Sequence, residues 1–221
     1  MNWANVDWGA IGIATIETLQ MTGFSLLFTV LIGLPLGIIL FLTGPNQLLQ
    51  HGSLYQGLSL VVNVLRSMPF IILLIVMIPL TRQLTGTSLG VAGTIPPLVA
   101  SAAPFFARLV ENVFKELDPG ASEACEAMGA NAGQTVFLAL LPEAKTGLIA
   151  AMVVTAIMLV GYSAMTGAVG GGGLGDLAIR FGYQRYRTEV MLITVVILIV
   201  LVQLIQWLGD YWIMRINRRI S

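Results

Sequence analysis

The stretch SEACEAMGANAGQTVFLALLPEA, residues 122–144, differs in character from the sequence on either side of it. It carries three carboxylates, Glu123, Glu126 and Glu143, and many small residues, whereas long apolar runs precede and follow it. Charged side chains are costly inside a bilayer. An acidic segment between such runs therefore needs a place outside the hydrocarbon and a role of its own.

Helix-capping residues divide this segment into two parts. Asp118 is a favourable N-cap, and Gly129 is suited to end the helix that begins there. Asn131, with Gln134 three residues later, is the pattern of a second capped helix, and Pro142 is expected to end it. The sequence thus predicts two short helices with a bend between them, over about residues 118–142.

The composition places the rest of the chain in a membrane. Of the 221 residues, 57% are hydrophobic and only 10% are charged, whereas soluble domains carry about 25% charged residues. The net charge of zero says nothing by itself about nucleic acid or acidic ligands, but the sequence lacks the basic patch that a nucleic-acid partner requires. The lone Cys125 and the lone His51, which we place in a polar loop, form no metal-ligand cluster, and we expect neither a metal nor another cofactor.

Five stretches are apolar enough to be transmembrane helices, which need about 20 residues each. They cover residues 21–43, 54–80, 89–107, 146–165 and 190–208. Pro69 is expected to kink the second. Pro96, Pro97 and Pro104 interrupt the third, which therefore suits a protein-facing or pore-lining position better than a lipid-facing one. The predicted fold class is an all-α integral membrane protein, built as a single transmembrane domain over residues 1–221.

Basic residues near the ends of the spans indicate the orientation. Arg215, Arg218 and Arg219 follow the fifth span and place the C-terminus in the cytoplasm. An odd number of spans then places the N-terminus outside and the segment at 108–145 inside. Several other arginines fall outside in this arrangement, so the charge rule is obeyed only partly.

Two interpretations of residues 118–142 are open on physical grounds. The segment is either a solvated loop at the membrane surface or a helix that docks in a groove of a partner protein. Small residues such as Ala124 allow close packing, and Val136, Leu140 and Leu141 give the second helix an apolar side. The glutamates suit basic groups on a partner.

The spacing within this segment resembles the EAA loop of the inner-membrane permeases of bacterial ABC importers. That loop reads E-A-A, three residues, G, nine residues, then I-x-L-P. This chain has Glu123-Ala124-Cys125, then Gly129, then Ala139-Leu140-Leu141-Pro142, and it departs from the pattern at Cys125 and Ala139. The resemblance implies the type I ABC importer permease fold, with a cytoplasmic coupling helix seated in a cleft of a separate ATPase. The residues that it assigns to coupling are Glu123, Ala124, Glu126, Gly129, Leu141 and Pro142.

Three further stretches resemble the methionine-uptake permeases of that class. They are NVLRSMPFIILL (63–74), SAAPFFARLVEN (101–112) and LVGYSAMTGAVGGGGLG (159–175). The resemblance implies a homodimer in the bacterial inner membrane that works with two ATPase subunits and a methionine-binding lipoprotein. Such a protein moves methionine, in both L and D forms, into the cytoplasm by alternating access. The alternatives are a permease for another small amino acid or organic solute, or a passive membrane channel.

Enzyme motifs are absent or incomplete in this sequence. The chain has no G-x-x-x-x-G-K-[ST] loop, so we expect a transport subunit whose ATP is hydrolysed on another chain. Gly170, Gly172 and Gly175 match G-x-G-x-x-G, but a dinucleotide site needs a preceding strand. We expect a flexible re-entrant loop there, or a loop that faces the binding protein. The residues around Ser163 are not G-x-S-x-G, which argues against a serine hydrolase.

Residues near the end of the fourth span are candidates for contact with the substrate. Tyr162 and Ser163 supply hydroxyls, and Met165 and Met68 supply adaptable surface suited to a thioether. Arg66 is a candidate partner for the substrate carboxylate. The competing interpretation is that these residues only pack helices together. In that case we expect Arg66 near the inner end of the second span, with its side chain reaching to the headgroups.

Overall fold

The computed structural model describes residues 6–217. Arg218 and Arg219, which contributed to the orientation argument, lie outside the described residues, as do both chain ends. Within 6–217 the regular structure is entirely helical, which confirms the all-α prediction. The helices are α1 (Trp8–Thr43), α2 (Gly52–Ser67), α3 (Phe70–Val76), α4 (Ile78–Thr85), α5 (Gly90–Lys115), α6 (Pro119–Ala127), α7 (Ala132–Thr135), α8 (Leu141–Glu143), α9 (Lys145–Thr166), α10 (Gly173–Leu177) and α11 (Thr188–Asn217).

Four of the described helices are long and apolar enough to cross a membrane, namely α1, α5, α9 and α11. A fifth crossing requires α2 and α3 to form one broken span, because their axes meet at 102°. The break lies at Met68 and Pro69. Met68 takes the extended conformation that a following proline favours, and Pro69 then precedes the first residue of α3. The predicted kink at Pro69 is therefore confirmed, and it is far sharper than a bend in a continuous helix.

The membrane-length helices extend beyond the apolar stretches that revealed them. α1 begins at Trp8 rather than near residue 21, because the Asp7 side chain accepts a hydrogen bond from the Ala10 amide at 3.0 Å and caps the helix there. α5 likewise continues to Lys115. Hydropathy marks the part of a helix that suits the bilayer, whereas caps and breakers decide where the helix itself ends.

The centre of the bundle is the contact between α1 and α5, which run side by side. Gly37 of α1 faces the α5 backbone so closely that a Cβ there would lie 2.6 Å from the Ala107 carbonyl oxygen. A glycine is required at this crossing because any side chain would push the helices apart. Phe106 and Val110 of α5 are fully buried beside the same contact.

α5 occupies the protein-facing position that its prolines predicted. In its most apolar window, 61% of the residues are buried inside the chain, against 17% for α11. Pro96, Pro97 and Pro104 all lie within the continuous helix. Prolines inside a membrane helix are tolerated where neighbouring protein covers the helix.

The glycine-rich loop after α9 packs against α1 where it leads into α10. The amide of Gly173 donates to the Glu17 carboxylate of α1 at 2.7 Å, and the amide of Leu174 donates to the Thr18 hydroxyl at 2.9 Å. All five residues of α10 are buried. The carboxylate caps the helix that starts here, and the small residues let that helix approach α1 closely.

Candidate functional site

The coupling segment, residues 118–142, starts each of its two helices with the caps that the sequence predicts. The Asp118 carboxylate accepts a hydrogen bond from the Gly120 amide at 2.8 Å and begins α6. The Asn131 side chain accepts from the Gln134 amide, and the Gln134 side chain accepts from the Asn131 amide, both at 2.9 Å. This reciprocal pair is a complete capping box.

The bend between the two helices is built on Gly129. Its φ of +77° lies in the left-handed region that glycine adopts most readily. Its amide donates to the Glu126 carbonyl at 2.9 Å, and the Ala130 amide donates to the Cys125 carbonyl at 3.0 Å. These two bonds form the Schellman motif that ends a helix, and the predicted bend is confirmed.

The prediction that Pro142 ends the second helix is wrong. The chain continues from α7 through a π-helical turn, Val136–Leu140, into α8, and Pro142 lies in the first turn of α8. The helical path breaks two residues later, at Ala144, whose amide donates to the Leu140 carbonyl at 2.9 Å. A proline in the first turn of a helix forfeits no hydrogen bond, because that amide has no partner there.

The second helix anchors the coupling segment to the bundle. Thr135, Val136 and Leu140 are buried. Val136 and Leu140 belong to a core cluster that also contains Phe41 of α1 and Phe114 of α5. The apolar side predicted for this helix therefore faces the spans and packs against α1 and α5.

The remainder of the coupling segment is exposed and mixes acidic with apolar groups. Glu123 and Glu126 face outward on α6. Met128, Phe137 and Leu138 are 78%, 72% and 72% exposed, and all three lie outside the membrane-length helices. Exposed apolar side chains rimmed by charges are typical of a surface that binds another protein.

The other residues assigned to coupling lie on the same segment in two different settings. Ala124, Gly129 and Pro142 are exposed. Leu141 is half-buried and packs against the core cluster beneath the segment. Three of these four positions are thus open to a partner, and Leu141 supports the segment from below.

Of the candidate substrate residues, Tyr162 makes a direct contact at the break between α2 and α3. The ring of Tyr162 on α9 stacks on Phe70, the first residue of α3, with centroids 4.4 Å apart and planes 4° from parallel. Both belong to a cluster with Met21 and Leu98. Met68 is half-buried two residues before Phe70, so the chain places it beside this stack.

Ser163 and Met165 point to different surroundings. Ser163 is buried, and its hydroxyl donates to the Val160 carbonyl of its own helix at 2.8 Å. This is the contact of a helix-packing serine. Met165 is 50% exposed and is open to a ligand or a partner surface.

Arg66 lies in the last turn of α2, far from the His51 end of that helix. It therefore lies beside the break at Met68 and Pro69, and its position near the inner end of the span stays a prediction. The guanidinium lies 5.9 Å from the centroid of the Phe105 ring. Arg66 is exposed, and its position beside α5 leaves its donors accessible. His51 itself caps α2 by accepting from the Leu54 amide at 3.3 Å.

A buried ionic cluster, which the sequence analysis did not identify, joins α2 to α5. Glu111 is fully buried and accepts hydrogen bonds from Arg108 at 2.5 Å, from Lys115 at 2.6 Å and from the Tyr55 hydroxyl at 3.0 Å. We call the cluster formed by these residues with Ser59 and Asn63 the α2–α5 tie. One signal was available in the sequence: Arg108, Glu111 and Lys115 are spaced i, i+3 and i+7, which puts them on one helix face.

No group of three or more His, Cys, Asp or Glu side chains within residues 6–217 is arranged to hold a metal ion. The sites described above consist of helix packing, ion pairs and an exposed surface.

Residues 33–220 match the family of binding-protein-dependent transport system inner membrane components. Because the match covers most of the chain, the chain belongs to this family. It is a multi-pass inner-membrane component of a transport system.

Relatives of this chain have consistent names. It is 45% identical over 212 residues to the probable D-methionine transport system permease protein MetI of Pasteurella multocida (strain Pm70), covering 96% of this chain and 98% of the relative. It is 43% identical to the methionine import system permease protein MetP of Bacillus subtilis (strain 168), with 93% of both chains covered. It is 52% identical over 151 residues to the D-methionine transport system permease protein MetI of Escherichia coli (strain K12), covering 68% and 70%.

Solved structures resemble the whole chain. A chain from an inward-facing structure of the MetNI methionine ABC transporter superposes with a TM-score of 0.94 at 46% identity, covering 98% of this chain and 99% of that one. A chain from an amino acid ABC transporter with histidines superposes with a TM-score of 0.78 at 19% identity and 94% coverage of both. The second likeness concerns the fold alone.

Proposed function

We propose that this chain is the permease subunit of an ATP-driven importer that carries methionine, in its L and D forms, into the cytoplasm. The observation that carries the proposal is the 46% identity over 98% of the chain to the permease of a methionine ABC transporter. The names of the relatives point the same way.

The partners in this proposal are two ATPase subunits, a second copy of the chain and a methionine-binding lipoprotein. The exposed surface of the coupling segment supports the ATPase contact, because Met128 and Phe137 offer apolar area beside Glu123 and Glu126. The orientation in the proposal has the C-terminus and the coupling segment in the cytoplasm and the N-terminus outside. Arg215 at the end of α11 supports it.

The mechanism that fits these parts is alternating access. ATP binding draws the ATPase subunits together and displaces the coupling segments seated on them. Val136 and Leu140 pass that displacement to Phe41 and Phe114, and hence to α1 and α5. A rigid connection is needed here, because a flexible loop would absorb the movement instead of transmitting it.

The proposed substrate surface lies at the break between α2 and α3. Tyr162 and Met165 of α9 contribute an aromatic ring and an exposed thioether, and Met68 contributes a second thioether. Arg66 supplies a cation for the substrate carboxylate. Ser163 belongs to the predicted set, and its own contribution would require its hydroxyl to leave the Val160 carbonyl.

The test is reconstitution of the purified complex. We expect the tagged chain to copurify with an ATPase subunit in detergent. Liposomes that contain this complex should accumulate labelled methionine only when ATP and the binding protein are supplied. Unlabelled D- and L-methionine should compete, and other small amino acids should not. Accumulation without ATP would indicate a passive channel, and competition by a different solute would identify another importer.

A further inference from the structure

We propose that Glu111 is a positioning residue for transport: through the α2–α5 tie it makes α2 move with the coupling segment and so links ATP hydrolysis to the break beside Arg66 and Met68. The inference rests on the proposed function, which it deepens by naming the internal connection.

The carboxylate of Glu111 is the centre of the tie. It has no exposed surface, yet three donors surround it: Arg108 at 2.5 Å, Lys115 at 2.6 Å and the Tyr55 hydroxyl at 3.0 Å. The Lys115 side chain is 42% exposed, whereas that of Arg108 is 14% exposed. Water therefore compensates Lys115 if the carboxylate is neutralised, but the Arg108 guanidinium loses its only anionic neighbour in the tie.

Arg108 forms the second half of the connection. Its Nη2 donates to the Ser59 hydroxyl at 2.7 Å and to the Asn63 carbonyl oxygen at 3.0 Å. Tyr55, Ser59 and Asn63 are spaced four residues apart, which places them along one face of α2. The tie thus holds α2 along two of its turns rather than at a single point.

Apart from this polar face, α2 makes few buried apolar contacts with the rest of the described chain. Val62 is its only buried residue and packs in a small cluster with Leu40 and Ala107, against which Tyr55 and Leu58 of α2 also pack while partly exposed. Leu60 and Val64 are exposed. Apolar contacts of this extent allow a helix to slide, whereas charge-assisted hydrogen bonds with fixed geometry select one register.

The α2–α5 tie lies between the coupling segment, which follows α5, and the proposed substrate surface, which follows α2. α5 ends at Lys115 and leads through two residues to Asp118, where the coupling segment starts. α2 ends at Ser67, next to Met68 and the 102° break. A displacement of α5 therefore reaches the proposed substrate surface by way of α2 only if the two helices are held in register.

The experiment compares Glu111→Gln with Glu116→Gln in the complete complex reconstituted with its ATPase and binding protein. Glu116 lies at the same end of α5 and is exposed outside the tie, so it is a matched control for loss of one carboxylate. The quantity measured is the number of methionine molecules imported per ATP hydrolysed. We expect Glu111→Gln to lower it about fivefold or more while ATP hydrolysis continues, and Glu116→Gln to leave it unchanged.

An unchanged ratio in assembled Glu111→Gln complex overturns the proposal, because a residue that only supports folding changes the yield of complex and not the ratio. If Glu111→Gln does not assemble, Tyr55→Phe decides instead. It removes one donor and no charge, and we expect the ratio to fall about twofold. An unchanged ratio in Tyr55→Phe complex then overturns the proposal.

A second measurement separates this inference from the proposed function. Spin labels at Ser67→Cys, in a Cys125→Ala background, report the movement of the exposed end of α2 when ATP binds. We expect ATP to change the distance between labels on the two copies in the Glu116→Gln control and to have less effect with Glu111→Gln. Equal distance changes in the Glu111→Gln and Glu116→Gln complexes overturn the proposal. Failure of the unaltered complex to import methionine overturns the proposed function alone.

Discussion

Replacement of Gly129 by aspartate tests the coupling segment directly. Gly129 has φ +77°, and a left-handed conformation costs a residue with a side chain about 1–2 kcal/mol. Aspartate lies at the low end of that range because its short polar side chain can bond locally. A Cβ at this position meets no atom within 4 Å, so the chain itself adds no steric penalty. The buried anchors Val136 and Leu140 are unchanged, and the spans should still insert and fold.

The larger effect is expected at the interface with the ATPase. Aspartate adds a third negative charge near Glu123 and Glu126, at the exposed bend that the proposed function places in a cleft of the partner. An unmatched charge of this kind costs about 3 kcal/mol, which corresponds to roughly a hundredfold weaker association. Gly129→Asn is the matched control, since asparagine tolerates the left-handed conformation equally and carries no charge.

The assay is capture of the ATPase subunit by immobilised permease over a range of ATPase concentrations, followed by methionine uptake in liposomes. Gly129→Asp should need about a hundredfold more ATPase for half-saturation, whereas Gly129→Asn should need about tenfold more at most. Wild-type affinity and uptake by Gly129→Asp would refute the reasoning, because the bend would then not lie at the interface. If Gly129→Asp and Gly129→Asn lose equal affinity for the ATPase, backbone strain rather than the added charge causes the loss.

Three further predictions concern orientation and the substrate. Cys125 should react with a membrane-impermeant maleimide in inverted vesicles but not in intact cells, and labelling of intact cells would contradict the proposed orientation. Arg66→Lys should raise the half-saturating methionine concentration about tenfold if the guanidinium binds the carboxylate in a bidentate manner; an unchanged value would indicate only the exposed contact with Phe105. Tyr162→Ala and Met165→Ala should weaken methionine binding to assembled complex by about tenfold each, and unchanged binding in both would remove this stretch from the substrate surface.

Local features of the coupling segment were predictable from the sequence. Asp118, Asn131 and Gln134 cap helices through bonds to amides two or three residues away. Gly129 ends α6 by its own backbone conformation. Interactions over so few residues depend little on the rest of the fold, and both helices and the bend therefore appear where the sequence places them. Pro142 is the exception, because the π-helical turn Val136–Leu140 leads into α8 at Leu141, so that Pro142 lies in the first turn of a helix.

The membrane class and the number of apolar stretches also followed from composition and hydropathy, since a bilayer selects side chains by the same transfer free energies in any fold. The angle of the break at Pro69 did not follow from composition or hydropathy. A proline makes a kink probable by removing a donor and crowding the preceding residue. The angle of 102° depends on where α3 finds its contacts, which include the stack of Phe70 on Tyr162.

The α2–α5 tie was decided by the tertiary structure. Arg108 and Lys115 are ordinary flanking cations when read along the chain, and Tyr55 lies 56 positions before Glu111. Only the packing of α2 against α5 brings the tyrosine to the carboxylate and removes water from it. The sequence by itself determined the elements with short-range causes, namely caps, bends and membrane-length apolar helices. Contacts between residues distant in the chain depend on how complete helices pack, and that is set jointly by all their surfaces rather than by any local pattern.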